Sequence, residues 1–237
     1  MLKDYRNYLV VIIVLALSAC TSVKTNKLTL DEASNLKGKT VAYTKYIKPP
    51  SFVALTAANV QFGLIGHATA VSSGNSMIRN NNIEDPAEHI AKSLANTLSE
   101  KHNVKVVLTD KTIGKKKKMK KMKNIISLYS DYDYILDVRT KSWGSVYYLS
   151  DWNNYIVMYD VHARLIEQKS KNVIFEHYCS NKPEFENPDD APTYKELEQG
   201  VRLKEELQKS VSFCIEEIKK ETNLLVDEKT AITNSEK

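Results

Sequence analysis

The side chains able to do chemistry are few and scattered. His177 and Cys179 stand two apart in "NVIFEHYC", so on an extended strand they share one face. A thiol beside an imidazole can act as a nucleophilic pair. Cys214 offers Cys179 a different fate, because an oxidised Cys179 cannot attack anything. Asp131, Asp133 and Asp137 recur near the start of a strand, yet the five histidines are dispersed and no metal-ligand spacing occurs. No metal site and no cofactor are expected. Ser34-Asn35-Leu36-Lys37 matches S-x-x-K without the companion S-D-N and K-T-G motifs, and G-x-S-x-G, H-E-x-x-H and G-x-x-x-x-G-K-[ST] do not occur. The inventory points away from an enzyme.

Two sets of residues are better suited to contact than to reaction. Lys111 to Lys123, "KTIGKKKKMKKMK", packs Lys115, Lys116, Lys117, Lys118, Lys120 and Lys121 so densely that they repel one another. Such a run is an exposed loop or the solvated start of a helix continuing into Ile125, Ile126 and Leu128. Near an anionic surface each lysine is worth about 1 kcal/mol, which makes lipid phosphate or an acidic protein the fitting partner. Trp143, Tyr147, Tyr148 and Trp152 gather near a hairpin tip, where they either cover the end of a sheet or offer Trp143 and Trp152 as a platform for a sugar or a partner side chain.

The first residues say where the chain works. Lys3 and Arg6 precede an apolar run from Leu9 to Ala19, which is shorter than the ~20 residues a membrane-spanning helix needs and fits a signal peptide. Leu17-Ser18-Ala19-Cys20 at its end resembles the lipobox of bacterial lipoproteins. The resemblance implies that residues 1–19 are removed, that the Cys20 thiol carries diacylglyceryl, and that the new amino terminus is acylated. Two or more chains anchor stably, at ~0.8 kcal/mol per buried CH₂. Thr21 stands where an Asp would retain such a protein at the inner membrane, so the resemblance implies an outer-membrane anchor facing the periplasm. The alternative is a chance Cys at the end of an uncleaved signal anchor. Export puts Cys179 and Cys214 in an oxidising compartment, where a disulfide closing a loop of about 35 residues is worth roughly 3 to 4 kcal/mol in the chain-entropy view. Two separate buried thiols remain the other possibility.

The mature chain of a little over 210 residues is 42% hydrophobic and 27% charged over the whole sequence, which suffices for an ordinary core. Loss of Lys3, Arg6 and Asp4 lowers the formal charge from +5 to +4. In an envelope this mild excess suits anionic lipid, lipopolysaccharide or an acidic protein surface; nucleic acid is not expected.

The elements that must position these residues follow in order. Residues 20–37 are polar and aperiodic and read as a lipidated tether, 38–226 as a single α+β domain, and 227–237 as a polar tail. "KTVAYTKYIK" (39–48) reads as a strand stopped by Pro49-Pro50. Residues 51–74 are uncharged apart from His67 and hold Gly63, Gly66 and Gly74, three of the seven glycines. They form either a buried helix or loop packed on the sheet, or an oligomer or membrane contact where small residues admit another backbone. Asp85-Pro86-Ala87-Glu88 is a helix start, and Ile90, Leu94 and Leu98 form its core stripe. "NVKVVL" gives a second strand, parallel to the first. "DYDYILDVRTKSWGSVYYL" and "NNYIVMYDVHARLIEQ" form a long antiparallel hairpin with "NVIFEHYC" as third strand, and Tyr155, Val157, Tyr159, Val161, Ala163 and Leu165 face the core. A long helix from Tyr194 to Leu225 closes the fold, one mixed sheet with helices packed on it.

This order, with "DPAEHIAKSLANTL" before a strand, is similar to envelope lipoproteins whose domain is like the amino-terminal domain of TolB or the curli-secretion lipoprotein, over roughly residues 39 to 222. The resemblance implies a structural or assembly role through an envelope protein partner or self-oligomer. A non-catalytic binding module for envelope glycan or lipid is the second expectation.

Overall fold

A computed structural model describes residues 25–226, so Cys20, the signal segment and the tail lie outside the described residues. Helix α1 (Leu30–Asn35) opens on a capping box in which Thr29 and Glu32 satisfy each other's backbone amides. Strand β1 (Thr40–Tyr43) follows, then, past the two prolines, β2 (Val53–Leu55). Two helices turn back on each other, α2 (Ala57–Gln61) and α3 (Gly63–Asn80). Helix α4 (Pro86–His102) begins as its sequence predicts: Asp85 caps the Ala87 amide, Pro86 fills the first helical position, and Asn103 ends it in the left-handed region at φ 52. Strand β3 (Lys105–Val106) is short. A 3₁₀ turn over Lys117–Lys120 leads into α5 (Met122–Leu128). Then come β4 (Tyr134–Tyr147), β5 (Tyr155–Glu167) and β6 (Val173–Asn181), and finally α6 (Tyr194–Glu198) and α7 (Val201–Glu221).

The fold is α+β, with one mixed six-stranded sheet in the order β3-β1-β4-β5-β6. Strands β1 and β3 are parallel, as the strand-helix-strand order predicts, and β4, β5 and β6 form the antiparallel meander. The short β2 was not visible as a strand in the sequence. It joins the same edge of β4 that β1 uses, farther along, with Val53 opposite Gly144 where β1 has Val41 opposite Tyr134. Gly144 makes this possible: a Cβ there would lie 2.4 Å from the Val53 carbonyl oxygen.

Alternation along the strands gives the sheet two unlike faces. One carries Leu136, Val138, Val157, Tyr159, Val161, Ala163, Leu165 and Phe175 against Ile90, Leu94 and Leu98 of α4 and Leu203, Leu207, Val211 and Ile218 of α7. All six core residues expected on β5 are buried there. On the second face, at the end of the sheet near β1, Ile125, Ile126 and Tyr129 pack on Ala42, Ile135 and Ile166.

Two expectations need correction. The described part of the tether, residues 25–37, is docked rather than free: Asn26 exchanges both backbone hydrogen bonds with Glu176 at 2.8 and 3.0 Å, the Leu28 amide reaches the Thr222 carbonyl, and Leu28 and Leu36 sit in the core. Two isolated leucines in a polar segment suffice once a helix turn and an open strand edge receive them. The closing helix is two helices, because Gly200 at φ 87 breaks it and its bare Cα leaves room for the Asn81 side chain. The small-residue segment takes the first of its two expected forms, a helix packed on the sheet, here preceded by a short strand and helix, with Gly66, Ala70, Gly74 and Met77 forming the buried stripe of α3. A Cβ on Gly66 would meet the Asn59 carbonyl oxygen at 1.7 Å and one on Gly74 the Phe52 carbonyl oxygen at 2.3 Å, so the glycines hold α3 against α2 and the β2 segment.

Candidate functional site

Cys179 on β6 and Cys214 on α7 are bonded to each other, stapling helix to sheet. His177 is on the same face, as predicted, and its Nε2 lies 2.7 Å from Glu217 Oε1 while Nδ1 pairs with Thr25 Oγ1 at 3.1 Å. With the thiol in a disulfide, the His177 and Cys179 pair has no nucleophile to offer. The imidazole instead links α7 to the incoming N-terminal segment. Glu217 had no signal in the sequence beyond its place on the last helix.

The three aspartates of the β4 start are not brought together. Asp131 meets Lys111 at the surface, and this contact holds its carboxyl below the usual range. Asp133 accepts from the Thr40 amide, which likewise lowers its carboxyl. Asp137 is fully buried on the second face, where it accepts from Arg164 Nε at 3.0 Å, Tyr46 Oη at 2.6 Å and Thr44 Oγ1 at 3.1 Å, with Arg164 Nη2 2.8 Å away in the ion pair. Three donors and the guanidinium charge satisfy the carboxylate, as a buried acid requires.

Around this pair the second face becomes cationic. Arg139 stands opposite His162, and His162 Nε2 is 2.7 Å from Glu176. Burial, and then Arg139, push the His162 imidazole below its ordinary pKa despite that carboxylate. Lys141 is likewise pushed down, by burial first and then by Arg139 and Arg164. Where β1 ends and β2 begins, a shallow hollow is lined by Lys48, Pro49, Pro50, Lys120, Arg139 and Asp85. Burial raises the Asp85 carboxyl. The lysine run lies beside it: Lys115, Lys116, Lys118 and Lys121 are exposed, Lys117 begins the 3₁₀ turn, and Lys120 is half-buried with its Nζ 5.7 Å from the Tyr46 ring centre. Sequence reading found the run but not Lys48, Arg139 or Lys141.

The aromatic platform does not exist as expected. Trp143 is 4% exposed, donates Nε1–H to the Pro50 carbonyl at 2.8 Å and meets Phe52 edge-on at 5.5 Å. A register shift between Thr140 and Ser142 turns Trp143 onto the helix-covered face with Thr140 and Tyr159, a parity change that simple alternation does not predict. Trp152 remains 60% exposed at the hairpin tip, set edge-on to Tyr147.

That tip belongs to a larger apolar end. Leu149 is 88% exposed beside Trp152, and on the α2–α3 pair Val60, Phe62, Leu64 and Ile65 are 53, 67, 89 and 77% exposed. Register places them together at one end of the sheet. Leu55 lies opposite Val146 near the end of β4, α2 leaves from there, and α3 returns so that Gly66 touches Asn59 and Gly74 touches Phe52. No Asp, Glu, Lys or Arg occurs between Lys48 and Arg79. Away from this end, a groove of about 780 Å³ runs between α4 and α7 with a mixed polar rim of Glu88, His89, Lys92 and Lys204 over packed Leu207 and Val211.

Neither a protein-family model nor a curated protein sequence matches this chain. Solved structures do. The PelC dodecamer of Paraburkholderia phytofirmans is 13% identical over 84% of this chain and 96% of that one, with a TM-score of 0.38. Lipoprotein GNA1162 of Neisseria meningitidis is 10% identical over 74% and 99%, at 0.33. A putative neuraminyllactose-binding hemagglutinin homolog from Helicobacter pylori is 11% identical over 84% and 92%, at 0.36.

Proposed function

We propose that this chain is a lipid-anchored envelope protein, held through Cys20 at the periplasmic face of the outer membrane, that acts without catalysis by binding an envelope protein partner or further copies of itself. The observation that carries the reading is the apolar end. Burying one large aliphatic or aromatic side chain is worth about 1.5 to 3 kcal/mol, so Val60, Phe62, Leu64 and Ile65 standing together in water are a standing cost unless something covers them. The glycine contacts at Gly66 and Gly74 fix the helical pair in place, so the patch is presented ready-made and a partner need not order it.

Cross-linking of living cells, extraction of the acylated protein in mild detergent and mass spectrometry test this. The expected result is a stoichiometric envelope partner or a ladder of self-oligomers, lost in a Leu64→Ser, Ile65→Ser variant that still folds. Monomer alone, with the cross-linker active on a control complex, overturns it. The competing reading as a glycan module is weakened by the burial of Trp143, which leaves Tyr147 as the one aromatic ring set against Trp152 among the described residues.

A further inference from the structure

The cations of the second sheet face outnumber the acids that could answer them. Arg164 is taken by Asp137, Glu176 pairs with the His162 imidazole, and Asp160 is engaged by the Ser142 and Ser180 hydroxyls. Lys48, Lys120, Arg139 and Lys141 form no ion pair among the described residues, although three of them line one hollow. The Nε of Arg139 is buried and has no hydrogen-bond partner there. Asp85 is the one carboxylate lining that hollow, and it is already engaged by the Ala87 amide and the Thr140 hydroxyl. A planar guanidinium flanked by two ammonium groups, with no anion of its own, is a phosphate-recognising arrangement.

We infer that this face binds phosphate, and that the phosphate is that of anionic lipid headgroups. Arg139, Lys48 and Lys120 form the point of contact. The exposed Lys115, Lys116, Lys118 and Lys121 extend it into a strip suited to many anions side by side, as a bilayer surface offers, rather than to one small ion. The hollow is too shallow to enclose a phosphate, so the group sits over it, again as a surface would.

Reach supports the same bilayer that holds the anchor, a clause that rests on the acylation of Cys20. Thr25 is five positions along the chain from Cys20, at most ~18 Å when extended. The fold takes the chain up at Asn26 beside β6, and β4, which carries Arg139, is two strands away at ~4.8 Å per step. An acyl anchor combined with a polybasic patch is a two-part attachment that lays this sheet face on the membrane. The apolar end would then point along the membrane, toward neighbouring proteins.

Residue-resolved lysine acylation, read by mass spectrometry on the full acylated chain, tests the inference. The chain is reconstituted in vesicles of phosphatidylcholine alone or with phosphatidylglycerol, and in a second arm it is held in neutral detergent with millimolar inorganic phosphate. Lys48, Lys118, Lys120 and Lys121 are expected to react several-fold more slowly with phosphatidylglycerol present and to recover in high salt, while the exposed Lys195, Lys204 and Lys220 keep their rates. Slowing by free phosphate as well identifies a local phosphate site; slowing by phosphatidylglycerol only identifies a headgroup surface. Equal rates in every condition, or protection that ignores salt, overturn the inference. Arg139→Gln should abolish the slowing at Lys48 and Lys120. Should that variant misfold, Lys118→Gln with Lys120→Gln, both at the surface turn, must weaken it instead. Failure of the cross-linking experiment at the apolar end leaves this outcome unaffected, so the two readings fall separately.

Discussion

The two faces of the sheet are made by the same strands and solve burial in opposite ways. On the helix-covered face, Val161 and Ala163 lie under α7 beside a disulfide, and water is excluded by apolar packing. One residue out of phase, Asp137 and Arg164 are almost as deeply buried, with side chains 0 and 10% exposed, and are kept there by each other and by two hydroxyls. The first face tolerates loss of a contact in proportion to its area. The second is all or nothing, because removing one partner strands a charge.

The sharpest way to break that contrast is to remove one member of the buried pair. Asp137→Ala should cost about 3 to 5 kcal/mol in urea unfolding, whereas Asp137→Leu with Arg164→Met should recover most of it. A cost below about 1 kcal/mol for the single change would show that water reaches Arg164 and that the face is not closed there. Next in size is the covered face: Cys179→Ser with Cys214→Ser, or reduction, should lose roughly 3 to 4 kcal/mol, read as a lower urea midpoint. Gly74→Ala adds a Cβ 2.3 Å from the Phe52 carbonyl oxygen and should lose about 1 to 3 kcal/mol, with no effect on the charged face.

Acid offers a gentler probe of the second face. His162 is held below its ordinary value of 6.5, so as pH falls from there the unfolded chain takes up a proton before the folded one does. Stability is therefore complete above pH 6.5 and declines below it, and His162→Gln should flatten that decline in a melting series. Smallest of all, Leu64→Ser should change stability by no more than about 0.5 kcal/mol, because its side chain leaves water only in a complex.

Much of this could be read in advance where the signal is local. The Asp85-Pro86 start of α4, the six inward residues of β5 and the pairing of Cys179 with Cys214 each follow from a few neighbouring residues or from compartment chemistry. What escaped depends on distant partners. Strand β2 exists because Gly144, ninety residues on, lets its backbone approach; Trp143 is buried because of a register shift; Leu28 is core because Thr222 and β6 receive it. The lysine run was legible as charge, but its joining with Arg139 required the sheet.

The docking of Asn26 has a consequence beyond holding the chain in place. Strand β6 is the last strand of its sheet, and its outer edge would otherwise offer unpaired amides and carbonyls to any extended peptide. Asn26 occupies that edge twice over, pairing its backbone with Glu176 and its side-chain amide with the Val173 and Ile174 carbonyls. The segment that enters the fold at Asn26 thus doubles as a guard against strand-to-strand polymerisation, and a chain trimmed to begin at Leu28 should self-associate through β6 even though the buried Leu28 and Leu36 are both retained.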